Sequence, residues 1–314
     1  MNLRKILLLL LFQILIFIYS YIPSFAQSIG LSISPPLLEV MIQPGKSIAQ
    51  KYQIGNNSDT DLYVRAIVVP FEPADIQGKI SIKYQVLSIK YFTLANSDIQ
   101  LGQTFKLPAN SQKRLALKIA VPKDELEADQ YFTFLIEQSP EIEFLGRQGG
   151  QNLIKIGSNI LLTISQLGNP KKQGIIAKFL PLPKIADLFD KVKFKVLIQN
   201  TGEAYFKPIG QIDIYHRITK KKMASLELQP DNILVNSARE IMAPAFSSWL
   251  PGPYKAILSF APDGKSGAET ASLEETTNAI FWLLPIKSGL AILILLIIIW
   301  QIKNGRDKPH PCKT

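Results

Sequence analysis

Cysteine is almost absent: the only one among 314 residues is Cys312, in the last three positions. Histidine is nearly as scarce, with His216 and His310 alone. These shortages exclude most site chemistry. Nucleophilic catalysis pairs a Cys or Ser with a His base, and no G-x-S-x-G occurs. Zinc centres need clustered His, Cys or carboxylates, and calcium loops need a D-x-D-x-D-G run; the sequence has neither. P-loop and dinucleotide fingerprints are missing as well. Carboxylate groups such as Glu141/Glu143 and Asp124/Glu125/Glu127 have the chemistry for acid–base work, but they fall in solvated turn sequences. The expectation is a protein that is not an enzyme, with no catalytic, metal or cofactor residues. With the one cysteine in the tail, folded domains must hold by burial alone, as domains of about 100 residues or more can.

Long apolar runs occur only at the two ends. Arg4 and Lys5 precede an apolar stretch from Ile6 to Ile22, and Ser24-Phe25-Ala26 supplies a small-x-small cleavage pattern. Residues 1–26 therefore read as a signal peptide with Gln27 the first mature residue, an uncleaved N-terminal anchor being the alternative. No Cys follows the run, which excludes a lipoprotein signal. At the other end, residues 281–302 hold an unbroken run from Leu290 to Trp300, with Lys287 near the start and Trp282 and Trp300 near the ends. About 20 apolar residues cross a bilayer, interfacial tryptophans belong at such ends, and a lysine can snorkel to the surface. The basic tail, 303–314, carries Lys303, Arg306, Lys308 and Lys313 against Asp307. By the positive-inside rule it is cytoplasmic. The expectation is a single-pass protein of the cytoplasmic membrane with its N-terminal ectodomain outside. Two exported domains without disulfides point to a bacterial cell surface.

Net charge is +10. The leader holds two of these charges and the tail three, which leaves the ectodomain at +5, thinly spread except at Lys220-Lys221-Lys222. That run reads as the decoration of a hairpin turn between Ile214 and Leu226, with contact to an anionic wall polymer or lipid headgroup as the alternative. Basicity alone is no nucleic-acid signature, and an external location argues against that class of partner.

Between the ends the chain reads as strands and turns, repeated once. Residues 43–69 give a Pro-Gly turn, a strand with Ile48, Tyr52 and Ile54 on one parity, and an Asn-Asn-Ser-Asp turn. A second strand follows with Leu62, Val64, Ala66 and Val68 on one face. An offset of 144 residues relates Ile54-Gly55-Asn56 to Ile198-Gln199-Asn200 within the same strand–turn–strand plan. Asn110-Ser111 and Asn236-Ser237 then precede later strands, and Tyr131 and Tyr254 lead two apolar strands. Matches in one order predict two domains of one kind: all-β, two tandem immunoglobulin-like β-sandwiches, at 27–167 and 175–278, joined by a linker at 168–174. Pro35-Pro36 reads as an edge strand or strand switch. Residues 142–152 read as a mobile loop or a long hairpin tip, and His216 as a structural strand histidine. Tyr131 stands where immunoglobulin-like sandwiches place a corner tyrosine.

Pro44-Gly45-Lys46-Ser47 through Asn57-Ser58-Asp59, then Leu107 to Ser111, Val121 to Asp124 and Gln130-Tyr131 carry a resemblance. Together with the leader, tandem domains, anchor and basic tail, they resemble the WxL-interacting surface proteins of Gram-positive bacteria. Ser34-Pro35-Pro36 is more similar to chaperone-like domains. The resemblance implies a first domain that binds peptidoglycan and a second that binds surface or host proteins, beside WxL-domain proteins. It assigns no binding residue. The expected function is a membrane-anchored bacterial cell-surface binding or scaffold protein whose extracellular domains bind cell-wall polymer or other surface proteins. A membrane-tethered, chaperone-like assembly factor for exported subunits and an accessory subunit of a membrane complex are the alternatives. Affinity is expected from sheet edges and loop ends, because an unpaired edge accepts a partner strand.

Overall fold

A computed structural model describes residues 30–84, 90–139, 154–262 and 275–305. The leader, most of the tail and the segment 142–152 lie outside them. The first half contains β1 (Leu31–Ser34), β2 (Leu37–Ile42), β3 (Ser47–Asn56), β4 (Leu62–Pro73) and β5 (Ile80–Ile82). It continues with β6 (Phe92–Leu94), β7 (Thr104–Leu107), β8 (Ser111–Ala120), β9 (Ala128–Gln138) and β10 (Lys155–Ile164). One sheet runs β1-β3-β8-β6; the other runs β2-β10-β9-β4, with β5 and β7 both on β4.

The second half contains β11 (Gly174–Leu182), β12 (Ile185–Asp187), β13 (Lys193–Asn200), β14 (Pro208–His216) and β15 (Lys222–Glu227). After β16 (Ala238–Ile241), β17 (Gly252–Pro262) and β18 (Glu275–Leu284) comes a helix, α1 (Ile286–Gly305). Its sheets run β11-β13-β16 and β12-β18-β17-β14-β15. Two tandem immunoglobulin-like β-sandwiches result, each with its own apolar core.

Alternation sets these cores. Tyr52 and Ile54 of β3, Leu62, Val64 and Ala66 of β4, and Leu115, Leu117 and Ile119 of β8 all turn inward and are buried. In the second domain Phe194, Val196 and Ile198 do the same against Tyr254, Ala256 and Leu258. The repeat is visible in side-chain wiring as well as in topology. Asn56 donates from Nδ2 to the carbonyls of Thr60, Leu107 and Pro108 and accepts the Ser58 N–H. Asn200, 144 positions on, donates to the carbonyls of Ala204 and Ile233 and accepts the Gly202 N–H. Asn110 and Asn236 both take positive φ, at 49° and 56°, a conformation asparagine tolerates better than most residues. Ser111 and Ser237 then bond back to the carbonyls of Pro108 and Leu234. In each domain a cis X–Pro bond, Ser34-Pro35 or Leu182-Pro183, lies where the chain leaves one sheet for the other. The first of these is the strand switch expected at Pro35-Pro36; β2 and β12 then pair in parallel with β10 and β18.

Several boundaries move. The apolar helix expected at 281–302 begins later, because Phe281 and Leu283 belong to β18 and are fully buried in the second core. The second domain therefore extends beyond 278 to Leu284, and α1 starts at Ile286 after a single residue, Pro285. Trp282 lies on the outward face of that strand rather than on a helix. Gly174, placed in the linker, is the first residue of β11. Strand β4 continues through Phe71 to Pro73, since β5 folds back on it with Phe71 opposite Ile82. Helix α1 is long and apolar enough to cross a membrane, and its apolar window is not buried in the protein.

Candidate functional site

The outer face of the first domain's larger sheet is apolar where solvent would favour polar residues. Leu161 stands opposite Glu39 on one side and Tyr131 on the other. Tyr131 stacks on Phe71, with ring centroids 5.8 Å apart, and Phe71 pairs with Ile82. This row crosses the sheet from β2 to β5, and the second domain lies on it. Leu234 and Tyr205 pack against Phe71, Leu161 and Tyr131 to form a third apolar cluster, separate from the two cores.

Polar groups pin the seam at fixed points. The Asp129 carboxylate accepts the Tyr205 N–H at 2.5 Å, the Thr163 hydroxyl at 2.7 Å and the Tyr131 hydroxyl at 3.0 Å. The same Tyr131 oxygen accepts the Val235 N–H at 2.9 Å. Burial pushes Asp129 above the usual aspartate range, against the three hydrogen bonds that favour its charged form. Burial foremost, then the Asp129 charge, pushes the Tyr131 phenol far up, so it stays a neutral donor and acceptor. Glu39 accepts from Lys207 at 2.8 Å and Asn232 at 2.6 Å. Its burial acts to raise its pKa, but these two bonds and the Lys207 charge outweigh it and the net shift is downward. At the far side the Glu240 N–H bonds to the Ile76 carbonyl at 2.7 Å, so the edge of β16 is held by the β4–β5 hairpin.

The corner tyrosine expected at Tyr131 is elsewhere. Tyr131 bonds within its own strand and across the seam, whereas the Tyr254 hydroxyl donates to the Leu250 carbonyl at 2.6 Å, four residues upstream. Tyr254 is the corner residue of the second domain. His216 is buried, with Nδ1 3.0 Å from the Thr219 hydroxyl and Nε2 3.2 Å from the Pro251 carbonyl. Both ring nitrogens are thus occupied, Nδ1 with the β14–β15 turn and Nε2 with the loop before β17. Of the carboxylates weighed for acid–base work, Glu125 pairs with Lys90 and Glu127 accepts the Ser165 hydroxyl. Glu141 and Glu143 lie outside the described residues. Among the described residues there is no group of three or more His, Cys, Asp or Glu suited to a metal ion.

Beside the seam lies a cleft with an apolar floor of Leu37, Phe71, Ile80, Leu161 and Leu234 and a polar rim that includes Lys79, Asn232 and Arg239. One wall is β2, which ends its sheet. Its orientation follows from two bonds: the Asn159 and Ser165 N–H groups take the Pro36 and Ile42 carbonyls. Alternate residues of a strand bond to the same side in a parallel pair. The even-numbered residues of β2 therefore face β10, and the N–H and C=O of Leu37, Glu39 and Met41 face outward. Among the described residues no strand pairs with that side. Leu37 and Met41 are partly exposed, and Asn232 Oδ1 is buried beside the cleft without a hydrogen bond from any described residue. Sequence reading missed this site. The available signal was apolar residues on both parities of β9 and β10, which marks a sheet covered on both faces.

No family model matches the chain, and no curated protein matches it. Among solved structures it is similar to the class 5 fimbriae chaperone CfaA, at 12% identity and a TM-score of 0.38, over 81% of this chain and 99% of that one. It is likewise similar to the E. coli chaperone DraB, at 12% identity and 0.37, over 80% of this chain and 96% of that one. A third is the Pseudomonas aeruginosa CupB2 chaperone, at 9% identity and 0.35, over 80% and 99%. Likeness of this degree concerns the fold alone and says nothing of what this chain binds.

Proposed function

We propose that this chain is a membrane-tethered binding protein rather than an enzyme, and that it holds an extended segment of an exported or surface protein in a chaperone-like way. The observation that carries the reading is the open edge of β2 beside the apolar cleft. Outward backbone groups at Leu37, Glu39 and Met41 supply main-chain hydrogen bonds to an added strand. Side chains of that strand on the seam side would lie beside Leu37, the β2 wall of the cleft, and Asn232 Oδ1 offers one more acceptor. Helix α1 serves as the tether, with the two domains outside the cytoplasmic membrane. This reading takes over from the wall-binding role that the WxL-interacting resemblance implies.

The test uses the full chain in lipid nanodiscs and a panel of extended peptides with alternating apolar residues. Met41→Pro removes one outward N–H and leaves the β10 ladder intact, since proline is tolerated at the solvent side of an edge strand. Peptide binding is expected in the parent chain and lost in Met41→Pro. Equal binding in both would overturn the edge assignment. Retention on isolated cell-wall polymer, unaffected by Met41→Pro, would restore the scaffold reading.

A further inference from the structure

All three tryptophans of the chain, Trp249, Trp282 and Trp300, belong to the region of α1 or the end of the domain from which it emerges. Strand pairing fixes which end that is. Ile185 is opposite Trp282 and Asp187 opposite Leu284, while Gly252 is opposite Leu283 and His216 opposite Tyr254. The Arg217 N–H bonds to the Pro253 carbonyl, which holds the β14–β15 hairpin turn at this same end. The Phe189 N–H bonds to the Ser248 carbonyl and brings the loop carrying Trp249 alongside.

At this one end large apolar side chains face outward. Phe189 is 73% exposed, Ile218 70%, Trp249 68%, Ile185 57% and Trp282 43%. Single exposed apolar residues are ordinary, but several gathered on one surface mark an interaction site. Backbone conformation and hydrogen bonds hold two of them in place. Phe189 takes φ 67°, a conformation rare for a bulky residue, and the Trp249 loop is tied down by the Tyr254 bonds to Ser248 and Leu250. Exposed cations surround them: Lys184 and Lys191 near Phe189, and Lys220 and Lys221 in the turn beside Ile218. The two carboxylates there are engaged, Asp187 with the first amides of α1 and Asp190 with Lys287.

We infer that this end of the second domain is a lipid-binding surface, seated in the headgroup layer of an anionic membrane. The inference rests on the reading of α1 as the membrane tether. Continuity with α1 selects the occupant. One residue separates β18 from the helix, and Asp187 accepts the Ile286 N–H at 2.9 Å and the Lys287 N–H at 3.0 Å, so domain and helix are joined without slack. A helix of 20 residues is about 30 Å long, the thickness of a bilayer core. If α1 spans, the surface that bears Trp249 and Phe189 meets the headgroups, where an indole, with its apolar body and polar N–H, settles and the Phe189 ring adds apolar area. Basic residues beside them add attraction to anionic lipid. The domain is therefore docked on the membrane, not swinging from it, and the β2 cleft is held at a set height.

The test uses the full chain reconstituted in two kinds of nanodisc, phosphatidylcholine alone and phosphatidylcholine with phosphatidylglycerol. Variants W282F/W300F and W249F/W282F leave Trp249 or Trp300 as the sole tryptophan, excited selectively over the tyrosines. Trp249 emission is expected to shift to the blue and be quenched by lipids brominated near the headgroup, more strongly with phosphatidylglycerol. The double variant Lys220→Glu/Lys221→Glu is expected to lose that added quenching. If Trp300 is quenched and Trp249 is not, the docked surface is refuted while the span stands. Quenching of neither refutes both, and equal quenching in the two membranes refutes the role of the lysines.

Discussion

Replacing Asn200 tests whether the repeated asparagine is the pivot of each domain. Its amide makes three buried hydrogen bonds, to the Ala204 and Ile233 carbonyls and from the Gly202 N–H. Each is worth about 0.5–1.5 kcal/mol net, and buried groups left unpaired raise the cost. Asn200→Ala should destabilise the second domain by about 2–4 kcal/mol. Asn56 makes five bonds, but only the one to Leu107 is fully buried. Water can replace part of the rest, so Asn56→Ala should cost less than Asn200→Ala despite removing more bonds. Asn200→Asp is the sharper variant. It keeps the shape and the acceptor for Gly202 but turns an oxygen toward two carbonyls, and should cost at least as much as alanine. Hydrogen exchange followed by mass spectrometry over a urea series, with the chain in detergent, reads the two domains separately. An aspartate variant within about 0.5 kcal/mol of the parent would refute the reasoning, because the donor role would then be dispensable. Equal loss of protection in the first domain would refute the separateness of the cores.

Other outcomes follow from the seam and the helix start. Tyr131→Phe leaves the Val235 N–H without its acceptor, so exchange around residues 233–235 should accelerate, at a cost of about 1–3 kcal/mol, while β3 and β8 keep their protection. Acidification has two opposed effects. The Glu39 pKa is lowered in the folded chain, so its contribution is present above the ordinary glutamate value and lost as pH falls through the lower folded value. The Asp129 pKa is raised, so its contribution is present below the ordinary aspartate value and lost as pH rises through the folded one. An Asp129→Asn variant should therefore show only the Glu39 effect, a loosening of the seam at acid pH, in distance measurements between labels on the two domains. Asp187→Ala removes the acceptor for the Ile286 and Lys287 amides, and faster exchange at those positions should follow.

Much of the architecture was legible because it is local. Alternation in β3, β4 and β8 and the Asn-centred turns are written in neighbouring residues, and the 144-residue offset holds down to individual hydrogen bonds. The boundary of the final strand was not legible. Phe281 to Leu284 are apolar on both parities, so they merge with the run that follows, and only burial of Phe281 and Leu283 against the second core separates strand from helix.

The sequence by itself determined two β-sandwiches of one kind and an apolar helix after them, since period, turn chemistry and run length need no distant partner. Tertiary structure alone decided the seam, the open edge of β2 and the capping of α1 by a residue 99 positions away. Those features depend on which faces and edges meet after folding. An apolar residue such as Leu161 reads the same in sequence whether its sheet face meets solvent, a partner or the neighbouring domain.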